Sequence, residues 1–262
     1  MLDAHAPAEP QDLMQTRSVQ QLLGMQQLGP HGLSEQWALG FCGDVHWGLI
    51  AQSFGQESLC FQTRDGRPLY AAFCATRLEL ALTGSLLGES LTIQSDLTSL
   101  GGPKVGSRHV FIHRGQEIGR LLMLSIFVAH DETGSNRRIT RALPAQPCNL
   151  PPAGAELRAL EKRAQHMSRD LRRRAAPPVT RAPLTPQFTL DFNAVGLLYF
   201  PSFSRIIEQS TACTSPLRMR EVTYLGNLDP GDTVYTNRQG AETLVTRGSG
   251  QIIAHACETR HE

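Results

Sequence analysis

The stretch Asp191-Phe192-Asn193-Ala194-Val195-Gly196-Leu197-Leu198-Tyr199-Phe200 runs on through Pro201-Ser202-Phe203-Ser204-Arg205-Ile206-Ile207-Glu208, and its reading decides the fold. Its lead-in, residues 187–190, reads as a strand. Asp191 and Asn193 then make a polar turn whose side chains can accept from free backbone N–H groups. The run that follows is apolar almost all round. Val195, Leu198, Phe203 and Ile206 fall near helical spacing, which predicts a buried helix wrapped by a sheet. The first turn of such a helix leaves N–H groups unpaired at a partly positive end, which suits a developing oxyanion. On this reading the N–H groups of Gly196 and Leu197 and the side-chain amide of Asn193 are the donors, and Asp191 is the cap.

Outward from that stretch, residues 218–225, 233–237, 242–247 and 251–257 read as strands of a meander, with turns at 226–232, Gly240 and Gly248/Gly250. Before it, residues 141–186 form a Pro- and Arg-rich linker. Within the linker, 156–174 reads as a helix with the stripe Leu157, Leu160, Ala164, Met167 and Leu171 and many arginines. That basic face is a solvated connector or a docking surface for an acidic partner. An earlier block, 23–140, starts with a strand at 33–41, a turn at 42–47 and a short apolar helix at 48–54 ended by Gly55. Strands follow at 59–63 and 69–75 around the Asp65-Gly66 turn, then at 91–97, 109–113 and 119–128. Residues 1–22 read as a flexible terminus.

The two blocks echo each other. Each has an Asp-bearing turn, an apolar helix and a later Gly-acidic strand start: Gly88-Glu89-Ser90-Leu91 against Gly231-Asp232-Thr233-Val234. The spacing is 44 residues from Asp44 to Gly88 and 40 from Asp191 to Gly231. Two such copies predict paired units with their sheets joined edge to edge.

Composition narrows the function classes. The chain has 262 residues and a net charge of +1, which marks neither a nucleic-acid binder nor a membrane-surface protein. No apolar run reaches the roughly 18 residues of a membrane span, and no secretory signal is visible. The six cysteines are far apart without a C-x-x-C pair, so free thiols in a cytoplasmic protein are expected and a metal site is not.

The pattern D-F-N-A-V-G-L-L-Y-F resembles the central-helix motif of the hot-dog fold, in which a helix lies inside a curved antiparallel sheet and a thioester carbonyl sits at its N-terminus. Three further stretches sharpen this: Gly43-Asp44-Val45-His46-Trp47, Gly66-Arg67-Pro68-Leu69-Tyr70 and Tyr224-Leu225-Gly226-Asn227. Together they are similar to the double-hot-dog acyltransferase/decarboxylases of polyketide biosynthesis, of the leinamycin-pathway type. The resemblance implies an α+β double hot-dog fold and a methylmalonyl-CoA or malonyl-CoA thioester as substrate. It further implies loss of carbon dioxide and passage of the acyl group to an acyl carrier protein. It assigns catalysis to Tyr70, in G-x-P-x-Y. One departure stands out: Ala194 occupies a position that is glycine in the family pattern, which puts the loop shape and the substrate in question.

The chemistry needs no metal or organic cofactor, because stabilising enolate oxygen in a water-poor pocket is the main demand. Tyr70 reads as a hydrogen-bond or proton donor; an ordinary phenol with a pKa of about 10 is a poor nucleophile. Without the resemblance it reads as a core tyrosine on a strand. Asp44, His46 and Trp47 are candidates to line the same groove, with His46 equally readable as a buried, satisfied histidine. Thr76, on the strand after Tyr70, is a further pocket candidate, and Tyr199 reads as core. Partners expected are acyl-CoA, an acyl carrier protein and a second copy of the chain. Two rivals remain. A hot-dog thioesterase or dehydratase would need Asp44 or Asp191 to face the pocket without capping a helix. A non-catalytic carrier-protein binding module would bind without turnover.

Overall fold

A computed structural model describes residues 15–146, 149–174 and 183–262. The first half comprises β1 (Gln15–Leu22), β2 (Leu28–Gly29), β3 (Gly32–Leu33), α1 (Glu35–Ser53), β4 (Phe61–Gln62), β5 (Pro68–Leu80), β6 (Ser90–Gly101), β7 (Lys104–His113), β8 (Gln116–His130) and β9 (Ile139–Arg141). Then come α2 (Ala155–Arg173), α3 (Phe188–Asp191), α4 (Ser202–Glu208), β10 (Leu217–Tyr224), β11 (Val234–Gln239), β12 (Glu242–Arg247) and β13 (Ile252–Arg260). One antiparallel sheet runs β1-β6-β7-β8-β5-β10-β13-β12-β11. The order β6-β7-β8-β5 in one half is mirrored by β11-β12-β13-β10 in the other. The halves meet where β5 pairs with β10 about Arg77↔Glu221, so the edge-to-edge joining that the repeat implies is present. No helix among the described residues is long and apolar enough to cross a membrane.

The sheet has a helix on each face of the first half. Leu121 and Met123 of β8 belong to the core under α1, with Leu91, Ile93 and Phe111. Leu122 and Leu124, the alternate residues, pack against Leu157, Leu160 and Ala164 of α2. Further along α2, Leu171 meets Leu244 and Ile252 of the second half. The expected linker helix therefore crosses the outer face from one half to the other, on the stripe read from its sequence.

The first helix differs from expectation. Residues 35–47 are helix where a strand and a turn were expected, and α1 continues to Ser53. Ser34 caps it by accepting from the Trp37 N–H (3.3 Å), and Glu35 sits in the first turn. Glycines that read as breakers serve close approach: a Cβ on Gly43 would lie 3.0 Å from the Phe200 ring. The second helix differs in the opposite direction. Residues 187–190 are no strand, since 188–191 form a single helical turn, and the long helix expected from Val195 onward is only the seven residues of α4. Gly196 is left-handed (φ 76°), and Pro201 disfavours helix at Phe200, so the helix starts after both. Within the expected loose terminus, residues 15–22 are strand β1, paired along β6 from Gln15↔Leu97 to Leu22↔Ser90.

Candidate active site

The ladder between β5 and β10 runs from Met219↔Glu79 to Thr223↔Ala75 and stops. Beyond it β5 continues towards Pro68 with no β10 partner, and the sheet opens along the seam. A cavity of about 1010 Å³ fills this opening. One wall is β5 from Tyr70 to Cys74; another is the segment 192–200 with the end of β10. Gly43, Asp44 and Trp47 of α1 close it on the inner side, and Arg169 and Arg172 of α2 stand on the outer side.

The polar turn at Asn193 is closed upon itself. Asn193 Oδ1 accepts from the N–H groups of Val195 (3.2 Å) and Leu197 (3.0 Å), and the Gly196 N–H donates to the Asn193 carbonyl (2.9 Å). The Leu198 N–H donates to Asn227 Oδ1 (2.8 Å). The amides of Gly196 and Leu197, expected as oxyanion donors, are thus consumed by the turn, because Asn193 at a left-handed glycine supplies an Asx-type turn and no open helix end. Leu197 lines the cavity; Gly196 does not. Acceptance of two backbone hydrogens fixes the Asn193 amide, leaving its NH2 group without a partner among the described residues. Asn193 is on the cavity wall.

Tyr70 is half-buried on the same cavity wall. Its ring meets the edge of His130, centroids 5.5 Å apart, and its hydroxyl makes no hydrogen bond among the described residues. Asp44 lies in the middle of α1, caps nothing and is open to the cavity; desolvation raises its carboxyl above the usual range. Tyr199, expected as core, also lines the cavity, and burial together with the charge of Asp44 pushes its phenol up to about 12. Trp47 faces the cavity while its Nε1–H donates to the Ala71 carbonyl (3.1 Å), tying α1 to β5.

Besides Gly196, three candidates fall away from the cavity. His46 is fully buried, with Nδ1 and Nε2 each 2.7 Å from the hydroxyls of Ser107 and Ser125. Burial, with His109 nearby, pushes it down to about 3, so it is a neutral core histidine. Thr76 is buried against the Tyr224 hydroxyl (3.1 Å), because the bulge between Phe73 and Ala75 shifts the facing of β5 before it. Asp191 is buried, accepts from the Gln187 N–H (2.7 Å) and is gripped by Arg205 (2.6 Å). It closes the base of the turn and offers nothing to a ligand.

Asn136 went unnoticed in the sequence and belongs to the site. Its Nδ2 donates to the carbonyls of Gly196 (2.6 Å) and Leu228 (2.7 Å). That orientation turns Oδ1 towards His130 Nε2 (2.9 Å), which must carry the hydrogen. The loop after β8 thereby connects the ring behind Tyr70 to the Asn193 turn. Its N–H and Ser135 bind Asp229, and Arg137 forks onto Asp232. No local pattern marks Asn136, since all its partners but His130 lie far along the chain.

No family profile matches the chain, and no curated protein matches it by sequence. Among solved structures it is similar to an acyl-ACP thioesterase from Bacteroides thetaiotaomicron, with 13% identity over 94% of this chain and 98% of that one and a TM-score of 0.62. It is also similar to the 12:0-ACP thioesterase from Umbellularia californica, with 11% identity over 94% and 97% and a TM-score of 0.64. A third is HtdX from Mycobacterium tuberculosis, with 7% identity over 88% and 89% and a TM-score of 0.54. At such identities the likeness carries the fold, which is the α+β double hot-dog expected from the sequence.

Proposed function

We propose that the chain is an enzyme of acyl-thioester chemistry and that hydrolysis is the reaction its cavity supports best. The observation that carries this reading is Asp44: a carboxylate lining the same cavity as Tyr70, with no cap or cation partner among the described residues. This meets the condition set for the thioesterase rival, and the occupied amides of Gly196 and Leu197 weaken the enolate-holding helix end. Asp44 takes a proton from water, whose oxygen attacks the thioester carbonyl. The Tyr70 hydroxyl and the Asn193 amide donate to the oxygen that becomes negative; one such donor is worth about 3 kcal/mol. The carbon–sulfur bond then breaks, and the thiolate leaves with the proton held by Asp44.

The second reading is decarboxylation of a malonyl- or methylmalonyl-CoA thioester with transfer to an acyl carrier protein. Tyr70 in G-x-P-x-Y favours it. The carbon–carbon bond to the carboxylate breaks, and carbon dioxide leaves. The electrons of that bond pass to the enolate oxygen, to which Tyr70 donates, and the α-carbon takes a proton from the Asp44 carboxyl. The Asp44 carboxylate then takes the proton of the carrier-protein thiol, whose sulfur bonds to the acyl carbon as the coenzyme A thiolate leaves. Incubation with acyl-CoA and with methylmalonyl-CoA separates the two. Free acid and thiol support hydrolysis, and carbon dioxide with a propionyl product supports the second reading. Binding without turnover of either would leave a carrier-protein binding module. Tyr70→Phe and Asp44→Asn are each expected to lower turnover by about 100-fold at unchanged melting temperature; wild-type rates in both would remove the site assignment.

A further inference from the structure

We propose that the outer mouth of the cavity is an anion site for the phosphate of a phosphopantetheine arm, built from Arg141, Arg169 and Arg172. The proposal rests on the thioester reading and names how its substrate is carried.

The charges of α2 divide into distinct groups. Arg163 is taken by Glu221 (2.9 Å), and Arg158 donates to the Ala153 carbonyl (2.8 Å). Arg169 and Arg172 line the cavity, whereas Arg173 does not. They are three residues apart, so they project from one side of the helix on successive turns. Arg141, at the end of β9, reaches the same cavity.

The other cations around the cavity are committed. Lys104 binds Glu161 (2.6 Å), Arg137 binds Asp232, and Arg247 binds Gln251 (2.7 Å) and the Asn227 carbonyl. Arg141, Arg169 and Arg172 are exposed and have no carboxylate or hydrogen-bond partner among the described residues. Three guanidinium groups on the lining of one cavity, without a carboxylate partner among the described residues, favour a multiply charged anion, for which their forked N–H groups are suited. A free fatty acid or simple acyl group brings no such charge to the mouth when its reacting carbonyl is inside beside Tyr70. A phosphopantetheine thioester does: it is a long, hydrogen-bonding arm, uncharged along its length, with the acyl group at one end and a phosphate at the other. The inner walls suit the acyl end, being lined by Trp47, Phe73, Leu198 and Phe200. Apolar depth with a cationic rim therefore orients the arm acyl-first.

Calorimetric titration of the full chain with phosphopantetheine and with pantetheine tests this. Phosphopantetheine is expected to bind about tenfold tighter or more, the size of a charge-assisted contact. R169Q/R172Q is expected to erase that difference while leaving pantetheine binding and the melting temperature unchanged. Equal binding of the two probes by the wild type, or a difference that survives in R169Q/R172Q, overturns the site. Coenzyme A as a third probe separates the sources. Binding tighter than phosphopantetheine means that the nucleotide is also read, and equal binding means that only the arm shared with carrier proteins is read; both support the site. Phosphate-dependent binding without turnover of any thioester would sink the catalytic reading alone. Turnover indifferent to the phosphate would sink this inference alone.

Discussion

The seam between the two halves has two ends, and they have been finished differently. At one end β5 runs on past β10 and leaves the large cavity with Tyr70, Asp44 and Asn193. At the other, β10 runs on towards Leu217, and a cavity of about 390 Å³ lies among the residues before α1, the residues before β10 and the ends of β5 and β13. The lining elements correspond: the segment leading into α4 at the first end, the segment leading into α1 at the second. Around the central pair Arg77↔Glu221, Thr76 on β5 stands where Arg220 stands on β10. That difference accounts for much of the contrast. Thr76 is small and bonds one phenol. Arg220 is fully buried and binds Glu35, Glu208 (2.5 Å) and Glu258 (2.7 Å), with Arg238 and Arg260 balancing the carboxylates. One end is narrowed by this plug of mutually neutralising charge to the smaller cavity, and the other keeps the larger one.

Removing the plug should have the largest effect. Arg220→Ala leaves Glu35 and Glu258 buried without their main cation and is expected to cost about 3–5 kcal/mol in urea unfolding. Arg220→Met, which fills the volume without the charge, should cost nearly as much, because the carboxylates remain. If Arg220→Ala unfolds like the wild type, the plug does not hold the seam. The plug also gives the seam an acid limb. Burial alone would raise Glu258, but hydrogen bonds from Arg238 and the charge of Arg220 hold it at about 2. A carboxyl depressed in the folded state contributes stability above its unfolded value of about 4 that is lost as the pH falls through 2. The His46–His109 pair acts higher, both rings being held down to about 3 by burial. The unfolded chain takes up these protons below about 6.5 and the folded chain does not, so stability should fall between roughly pH 6.5 and 3, by about 1 kcal/mol per pH unit for each ring. Urea titrations over that range check it. H46Q/H109Q should start lower and decline less steeply, and an unchanged slope would mean that the pair titrates normally.

How much of this was legible in the sequence follows from the range of the interactions. Strand positions, the Asp65-Gly66 hairpin, the α2 stripe and the two-unit order rest on local alternation and turn chemistry, and β12 has the bounds its residues predict. The helices were misplaced because their ends depend on partners elsewhere. Gly43 looks like a turn residue until Phe200 is seen against it. Asn193 looks like a helix cap until Gly196 turns left-handed and Asn136 reaches in from the first half to hold its carbonyl. Of the residues expected at the site, Asp44, Asn193 and Trp47, from local turns, and Tyr70, from the resemblance alone, line the cavity. His46 is turned into the core by one helical step, Thr76 by the bulge in β5, and Asp191 by its pair with Arg205.

The smallest expected effect sharpens the comparison at the open end. Gly43 is buried in α1 beneath the segment that precedes α4, and a Cβ there would meet Cε1 and Cζ of Phe200 at 3.0 Å and Cε2 of Phe73 at 3.6 Å. Phe200 is itself packed on Phe73, ring centroids 4.3 Å apart, so it cannot move without disturbing the β5 wall. Ala has the better helix propensity by roughly 1 kcal/mol, whereas overpacking costs about 1–3 kcal/mol, so Gly43→Ala should be neutral to mildly destabilising. Its larger consequence should be in binding. Displacing Phe200 moves the inner wall proposed to hold the acyl end, so KM should rise for long acyl groups more than for short ones, with kcat for short ones unchanged. A uniform rise across chain lengths would mean that Phe200 positions the thioester itself, and that the acyl group lies elsewhere in the seam.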